Sequence, residues 1–538
     1  MFRQMLSLRL RRDRWQLIVW GVVHFLLAYM VASAVHTTYG TALERANTIK
    51  VMMVTPAILV FRGTPQGGTA GDMMALLGLT FIALIVILQL TFLVVRNTRA
   101  EEERGQTETL ASTAAGRLTP TFAVIALGAI ASAIAAAALA LGSLAGGLPA
   151  GGAWMFGFAI GSAGLAYAGI ALFLAQLLPS GRSVNGWAAT LGVLAYVVRG
   201  IGDAAGTPHP ATLTLTPHWI SWLSPIGWAQ ATRPWADGST AWPLLPGVAT
   251  FAVFTAAALV VQDRRDVGAG VFAERKSRAT ASASLGSPFG LALRLERGVL
   301  IGWMAGVLAG AVLLGSLSSV MIDQLTTAGA GVSNALDEIG GGGGGTMLQA
   351  FVNIGALFSG LLASAICVQG GMRLRQEEAA SGADGVLSSA VSRTRWMLSF
   401  VAVPALGAAV ALVLGGLLAG AVAGDRGGGF ATWFWATVWE LPAVLVFLGI
   451  VTLVFAVLPR ATAGVGWAVF GLGAVFGLFG PLFGLPEWLR DLAPFAHTPA
   501  VALPDASFAG GWAMAALAVA LVAAGVLLFR RRDTVPGE

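Results

Sequence analysis

The residues able to do chemistry are few, and most of them gather in two stretches. Arg99, Glu101, Glu102, Glu103 and Glu108 form one; Arg375, Glu377, Glu378 and Asp384 form the other. Carboxylates and guanidinium groups interleaved in this way suit docking of a protein partner, because paired charges set both attraction and register. If the first stretch is helical, Glu101, Gly105, Glu108 and Ser112 share one face by their spacings of 4, 3 and 4. The plainer alternative is a solvated polar loop. Glu440 is the clearest ionisable residue inside an apolar stretch, and intramembrane carboxylates are functional candidates because hydrocarbon penalises them. Together with Trp228, Trp435 and Trp439 it is a candidate lining for the path of an amphiphilic substrate; anchoring of the tryptophans at a membrane interface is the competing reading.

Other chemistries lack their residues. A phosphate-binding loop needs Gly-x4-Gly-Lys-Ser/Thr, and neither lysine, Lys50 or Lys276, follows a glycine. The run Gly340–Gly345 has no lysine after it and reads as a flexible linker. No ATP hydrolysis by this chain is expected. The histidines His24, His36, His209, His218 and His497 show no metal-binding pairing, so no metal is expected. Cys367 is the single cysteine and lies in an apolar run, which suits a buried, inert thiol and excludes an internal disulfide.

The elements that must position these residues are membrane helices. Of 538 residues, 56% are hydrophobic and only 11% charged, against about 25% charged in a soluble protein. That excludes a large soluble enzyme, and it excludes disorder. Apolar windows predict twelve spans, at 15–36, 74–95, 120–144, 153–178, 184–202, 243–262, 299–322, 348–370, 396–423, 432–458, 463–484 and 508–529. The fold class is therefore an all-α polytopic membrane protein. The apolar run from Trp15 is too long for a signal-peptide core. Met1–Arg14, with Phe2, Met5, Leu6, Leu8 and Leu10 among arginines, suits an amphipathic helix lying on the inner leaflet. With the N-terminus inside, 25 of the 32 lysines and arginines fall in inner segments, which places both termini in the cytoplasm. The net charge of +6 thus reports inner loops and not a nucleic-acid partner.

The chain also repeats. Arg99, Glu101, Glu102, Glu108 and Arg117 recur without a gap as Arg375, Glu377, Glu378, Asp384 and Arg393. Pro179 with Gly186-Trp187 recurs as Pro459 with Gly466-Trp467, and Trp219 six before Pro225 recurs as Trp488 six before Pro494. Arg264-Arg265-Asp266 recurs as Arg531-Arg532-Asp533, and Leu8-Arg9-Leu10 as Leu293-Arg294-Leu295. Five matches in one order predict two parallel six-helix repeats. The expected halves are 1–267 and 290–538, joined by a polar cytoplasmic linker at 268–289. Recurrence at the same place in both halves favours docking over a merely solvated loop.

An amphipathic leader, a first span, an outer loop, a second span and then R-x-E-E-x-x-G-x-x-E-x-L resembles the ABC-2 type exporter permeases (type V exporter-like). Trp222-Leu-Ser-Pro225-Ile-Gly-Trp228 and Leu-Ala-Pro494-Phe-Ala-His497 are similar to that family's stretch before the last helix of a half. The fused twelve-span form resembles actinobacterial exporters of polyketide antibiotics, the tetronasin-type multidrug efflux permeases. The resemblance implies elbow helices at Met1–Arg12 and Gly290–Arg297. It implies coupling helices at Arg99–Arg117 and Arg375–Arg393, resting on two copies of a separate ATPase that binds ATP and Mg. It also implies export of hydrophobic or amphiphilic compounds through the cell membrane, between the halves. In the second copy Ala379, Ala380 and Gly385 stand where the first has Glu103, Arg104 and Thr109, and its glycine, Gly382, is shifted by one position. The strongest competitor is a proton-coupled twelve-helix secondary carrier, which would need buried acids or bases for a proton relay.

Overall fold

The computed structural model describes residues 1–53, 56–107, 116–265, 270–272, 280–327, 347–425, 428–479, 486–503 and 506–533. It divides into two compact units, Met1–Ser277 and Arg278–Glu538, and the division falls inside the 268–289 stretch.

In the first unit the long helices are α1 (Phe2–Thr38), α4 (Ala70–Arg96), α6 (Thr119–Ala145), α7 (Ala150–Leu177), α8 (Gly181–Ala204) and α10 (Leu245–Arg264). Shorter ones are α2 (Ala42–Met53), α3 (Pro56–Arg62), α5 (Arg99–Glu103) and α9 (Pro225–Ala231). The second unit has α11 (Pro288–Thr327), α12 (Met347–Ala379), α14 (Arg393–Ala423), α16 (Leu441–Val457), α17 (Thr462–Ala474) and α19 (Ala509–Arg531) as its main helices. Its short ones are α13 (Gly382–Leu387), α15 (Phe430–Val438) and α18 (Glu487–Arg490). Among the described residues eleven helices are long and apolar enough to cross a membrane. The chain is an all-α polytopic membrane protein. The expected span 463–484 is represented by α17, which runs on into a π-helical turn, Val475–Phe479; its last residues lie outside the described ones.

Two expectations about helix ends are corrected. The leader is not a separate helix on the membrane surface: it is the start of α1, a single helix of 37 residues, about 55 Å long. Gly290–Arg297 is likewise the beginning of α11, a helix of 40 residues. Neither sequence carries a proline or a glycine pair at the junction that would let the chain turn, and in α1 the buried side chains Arg9 and Asp13 fix the first turns in place.

Small residues let the helices approach. A Cβ on Gly142 of α6 would lie 2.2 Å from the Phe25 carbonyl oxygen of α1, and one on Gly146 would lie 2.3 Å from Ala32 Cβ. On α7, a Cβ on Gly157 would lie the same 2.2 Å from the Ala136 carbonyl oxygen. Such contacts hold helices together in lipid, where apolar burial between helices adds little. The strands among the described residues form a small hairpin, β1 (Thr207–His209) with β2 (Thr214–Thr216), extended by an isolated bridge from Gln66 to Thr214.

Candidate functional site

The repeated charges form the same device in each unit. In the first, Glu102 lies between two guanidinium groups: Arg99 Nη1 at 2.5 Å, and Arg265, just past the end of α10. Arg117, before α6, donates to the Arg265 carbonyl oxygen. In the second, Glu378 lies between Arg375 at 3.5 Å and Arg532 at 2.6 Å, and Arg393, opening α14, donates to the Arg532 carbonyl oxygen. Each carboxylate thus ties the end of the second span to the end of the last, and an arginine at the start of the third span closes the clamp. We call this the basal end of each unit. The settings differ in detail. Arg265 Nε donates to Gln176 Oε1 at 2.8 Å, whereas the Arg532 guanidinium lies over the rings of Phe455 and Phe529, at 5.0 and 5.5 Å.

Glu101 is not an exposed docking group. It is buried and accepts from Arg9 Nη2 at 2.8 Å and Arg12 Nη1 at 2.6 Å, both on α1. Asn97 Nδ2 donates to Asp13 at 2.7 Å, and Arg96 pairs with the same carboxylate at 3.0 Å. This network stitches α1 to the end of α4. Among the described residues the second unit has no counterpart of it. Glu377 instead pairs with Arg373 on its own helix at 2.7 Å, while Arg294, the counterpart of Arg9, is exposed. Sequence reading missed Asp13 and Asn97; the one signal was a lone acid among the leader's arginines.

The expected single helix through Glu101, Gly105, Glu108 and Ser112 is also corrected. α5 ends at Glu103, and Gly105 has a φ of +69°, a left-handed conformation that a helix cannot pass through. Glu108 and Ser112 lie outside the described residues. In the second unit Arg375, Glu377 and Glu378 belong to the last turns of α12, and Ser381 takes the left-handed turn, with a φ of 57°, before Gly382 opens α13. Among the described residues, the side chains exposed in the two charged stretches include Glu103, Arg104 and Gln106 in the first unit, and Gln376, Asp384, Ser388 and Ser389 in the second. Glu103 also accepts the Gly181 N–H at 2.9 Å, which caps α8.

Of the expected substrate-path residues, Trp435, Trp439 and Glu440 lie in the second unit, at α15 and the start of α16, and Trp228 lies in the first. Glu440 is buried; one carboxylate oxygen accepts from the Thr498 hydroxyl at 3.4 Å and the other has no partner among the described residues. Trp435 is half exposed, while Trp439 packs on Phe508 and Trp512 with ring centroids 4.8 and 5.6 Å away. Trp228, in the first unit, donates its indole N–H to the Trp222 carbonyl at 2.6 Å. A second buried carboxylate was missed: Glu296, in the third turn of α11, has no hydrogen-bond partner for either oxygen among the described residues. The signal was a lone acid in the second leader.

Two repeats of membrane-spanning helices, each closed by the same carboxylate clamp, define a two-half helical membrane protein of the permease type. Residues 285–530 match the family model described as the C-terminal domain of the multidrug efflux system permease Rv1217c. The chain is 36% identical to the multidrug efflux system permease protein Rv1217c of Mycobacterium tuberculosis (strain ATCC 25618 / H37Rv), over 98% of this chain and 94% of that protein. This chain belongs to that family, the multidrug efflux permeases of the ABC-2 type.

Proposed function

We propose that this chain is the transmembrane subunit of an ATP-driven exporter. It moves hydrophobic or amphiphilic compounds, drugs or polyketide antibiotics among them, out across the cell membrane with both termini in the cytoplasm. Two copies of a separate ATPase bind ATP and Mg and seat against the basal end, and this chain has no ATPase site of its own. The observation that carries the reading is the clamp of Glu102 and Glu378, together with similarity to a multidrug efflux permease over nearly the whole chain. A force applied at the basal loops reaches three spans at once through one carboxylate and the arginine that closes the clamp, which a loop tethered only by its ends would not transmit.

The test is co-expression with the cognate ATPase. Purified alone the chain shows no ATP hydrolysis; with its partner it co-purifies, and export depends on ATP. Reversing the exposed charges with Arg104→Glu and Asp384→Lys weakens that pairing by about tenfold, the size expected when two rim contacts of ~0.2–1 kcal/mol each turn repulsive. Full pairing in the double variant would place the docking surface elsewhere.

A second reading, proton-coupled transport, draws support from the buried carboxylates Glu296 and Glu440. The two readings part on one variant. Under ATP-driven export, Glu296→Gln with Glu440→Gln leaves transport within about twofold of the parent, since neither residue takes part in the clamp. Loss of transport in proteoliposomes with the proton gradient intact and ATP irrelevant would favour the carrier.

A further inference from the structure

An apolar groove of about 520 Å³ lies between α14, α16 and α19 of the second unit. Val401 of α14, Leu448 of α16 and Ala518 of α19 line it, and its wall is wholly apolar. Leu398, Val519 and Leu527, also in the wall, are exposed, so the groove has an open side. From Ala518 to Leu527 it follows about 14 Å of helix. That is close to the hydrocarbon depth of one leaflet, half of ~30 Å. It is the half of α19 that ends at the clamp.

The groove ends in positive charge. On α19, Arg530 and Arg531 follow Leu527 by three and four residues and so continue its face. On α14, Arg395 stands three residues before Leu398. Arg393 donates to the Arg532 carbonyl oxygen, so the two helix ends meet and these arginines flank one mouth. Arg395, Arg530 and Arg531 are exposed and have no ionic partner among the described residues, whereas Arg532 is held by Glu378. Asp533, also exposed, offsets one of these charges at most.

The first unit is an internal comparison. In the registers of the repeat, Val401, Leu448 and Ala518 correspond to Ile125, Ala168 and Phe251. Those three line a gap between α6, α7 and α10 that has no room for a water molecule. There α10 packs close on α7, where a Cβ on Gly169 would lie 2.9 Å from Phe251 Cα. At the mouth the same registers put Thr119 for Arg395 and Asp263 for Arg530. Groove and charge are present together in the second unit and absent together in the first. A gap left by loose packing alone would not bring its own arginines. An acyl chain with an anionic head matches both features, since the wall spans one leaflet and the guanidinium groups lie at its end. A partner's transmembrane helix would need a groove the length of the whole span.

We propose that this groove seats one anionic phospholipid of the leaflet at the basal end, its acyl chain between α14, α16 and α19 and its phosphate on Arg395 and Arg530. The chain occupies the space that Phe251 takes in the first unit, and the head neutralises arginines beside the Glu378 clamp. The proposal does not depend on what drives transport.

The test is native mass spectrometry of the full chain, delipidated in detergent and titrated with dioleoylphosphatidylglycerol or dioleoylphosphatidylcholine, which share their tails and differ in head charge. The first phosphatidylglycerol is expected to bind roughly thirtyfold more tightly than the first phosphatidylcholine. Arg395→Gln with Arg530→Gln should bring the two lipids level. Ala518→Phe, which places the first unit's residue in the groove, should weaken phosphatidylglycerol by roughly tenfold although no charge changes. Inorganic phosphate in excess should not displace the lipid. Equal affinity for the two lipids, full phosphatidylglycerol affinity in either variant, or displacement by phosphate would overturn the proposal. If Ala518→Phe does not fold, Val519→Phe, at an exposed position of the same wall, takes its place with the same expectation.

Discussion

Replacing Glu378 with alanine is expected to lower the unfolding midpoint by on the order of 10 °C. Removing one partner of a buried ion pair costs about 3–5 kcal/mol, because the remaining charge stays in a place chosen for its neutralisation. In a unit of this size each kcal/mol moves the midpoint by roughly 2–4 °C. Of the two arginines left behind, Arg532 has no hydrogen-bond partner for Nε and Nη1 among the described residues, and its guanidinium rests on Phe455 and Phe529. The equivalent Glu102→Ala should cost less, since Arg265 keeps its bond to Gln176. Removing both charges, Glu378→Ala with Arg532→Met, should recover most of the loss, as apolar replacements of buried pairs commonly do. Trp396 provides the readout: its ring stacks on Phe529 with centroids 5.5 Å apart, next to the guanidinium in question. An unchanged fluorescence midpoint in Glu378→Ala would mean that the clamp adds no stability, and with it the case for force transmission through Glu378 would fail.

The clamp also shows what sequence could and could not supply. Its members were visible as spaced repeats: Arg99 with Arg375, Glu102 with Glu378, Arg117 with Arg393, Arg265 with Arg532. Their spacing could be read because each sits at the end of a span, where hydropathy changes sharply. Their roles could not. On sequence alone a charge near a span end is equally a solvated loop, a docking group or a staple. Burial decides among them, and burial depends on how helices far apart in the chain pack. Glu101 is the sharpest case. Its partners Arg9 and Arg12 are some ninety residues away, on a leader that hydropathy assigns to the membrane surface. The uninterrupted run of α1 that brings them there depends on Asp13 and Asn97, neither of which repeats. A cavity at the other end of the first unit was illegible for the same reason. Gln66, Asp203 and Gln230 lie on three separate segments, and a glutamine in a loop carries no periodicity.

The two units therefore share a clamp and differ in how the first helix is held. α1 is fixed at its basal end by a seam of six polar side chains, Arg9, Arg12, Asp13, Arg96, Asn97 and Glu101, whereas the exposed Arg294 and the unpartnered Glu296 give α11 no such seam among the described residues. This asymmetry agrees with the departures of the second charged stretch from the first, and in the ATP-driven reading proposed above it would make the first unit the stiffer receiver of a basal push.

The same helix is held at its other end by shape alone, and there a single substitution should release it. Gly142→Leu is expected to separate the distal half of α1 from α6. A Cβ already collides with the Phe25 carbonyl oxygen at 2.2 Å and reaches Ala28 Cβ at 2.9 Å, so a leucine has no rotamer that fits without moving backbone. Overpacking of this kind costs about 1–3 kcal/mol, and more where the neighbour is main chain. In lipid the separated faces meet acyl chains as apolar as themselves, so nothing draws the helices back once close contact is lost. Val35, fully buried near the end of α1, reports the change. In Val35→Cys the thiol should be protected from a membrane-permeant maleimide, and adding Gly142→Leu should speed labelling roughly tenfold or more, as a local opening made easier by ~1.4 kcal/mol or more requires. The native Cys367 is buried and contributes little background. Gly142→Ala should fall between. Because the Arg9–Glu101 seam lies at the opposite end of α1, basal ion pairs and ATPase pairing should survive the change. Equal labelling rates in all three backgrounds would show that α1 is held by something other than the glycine contact.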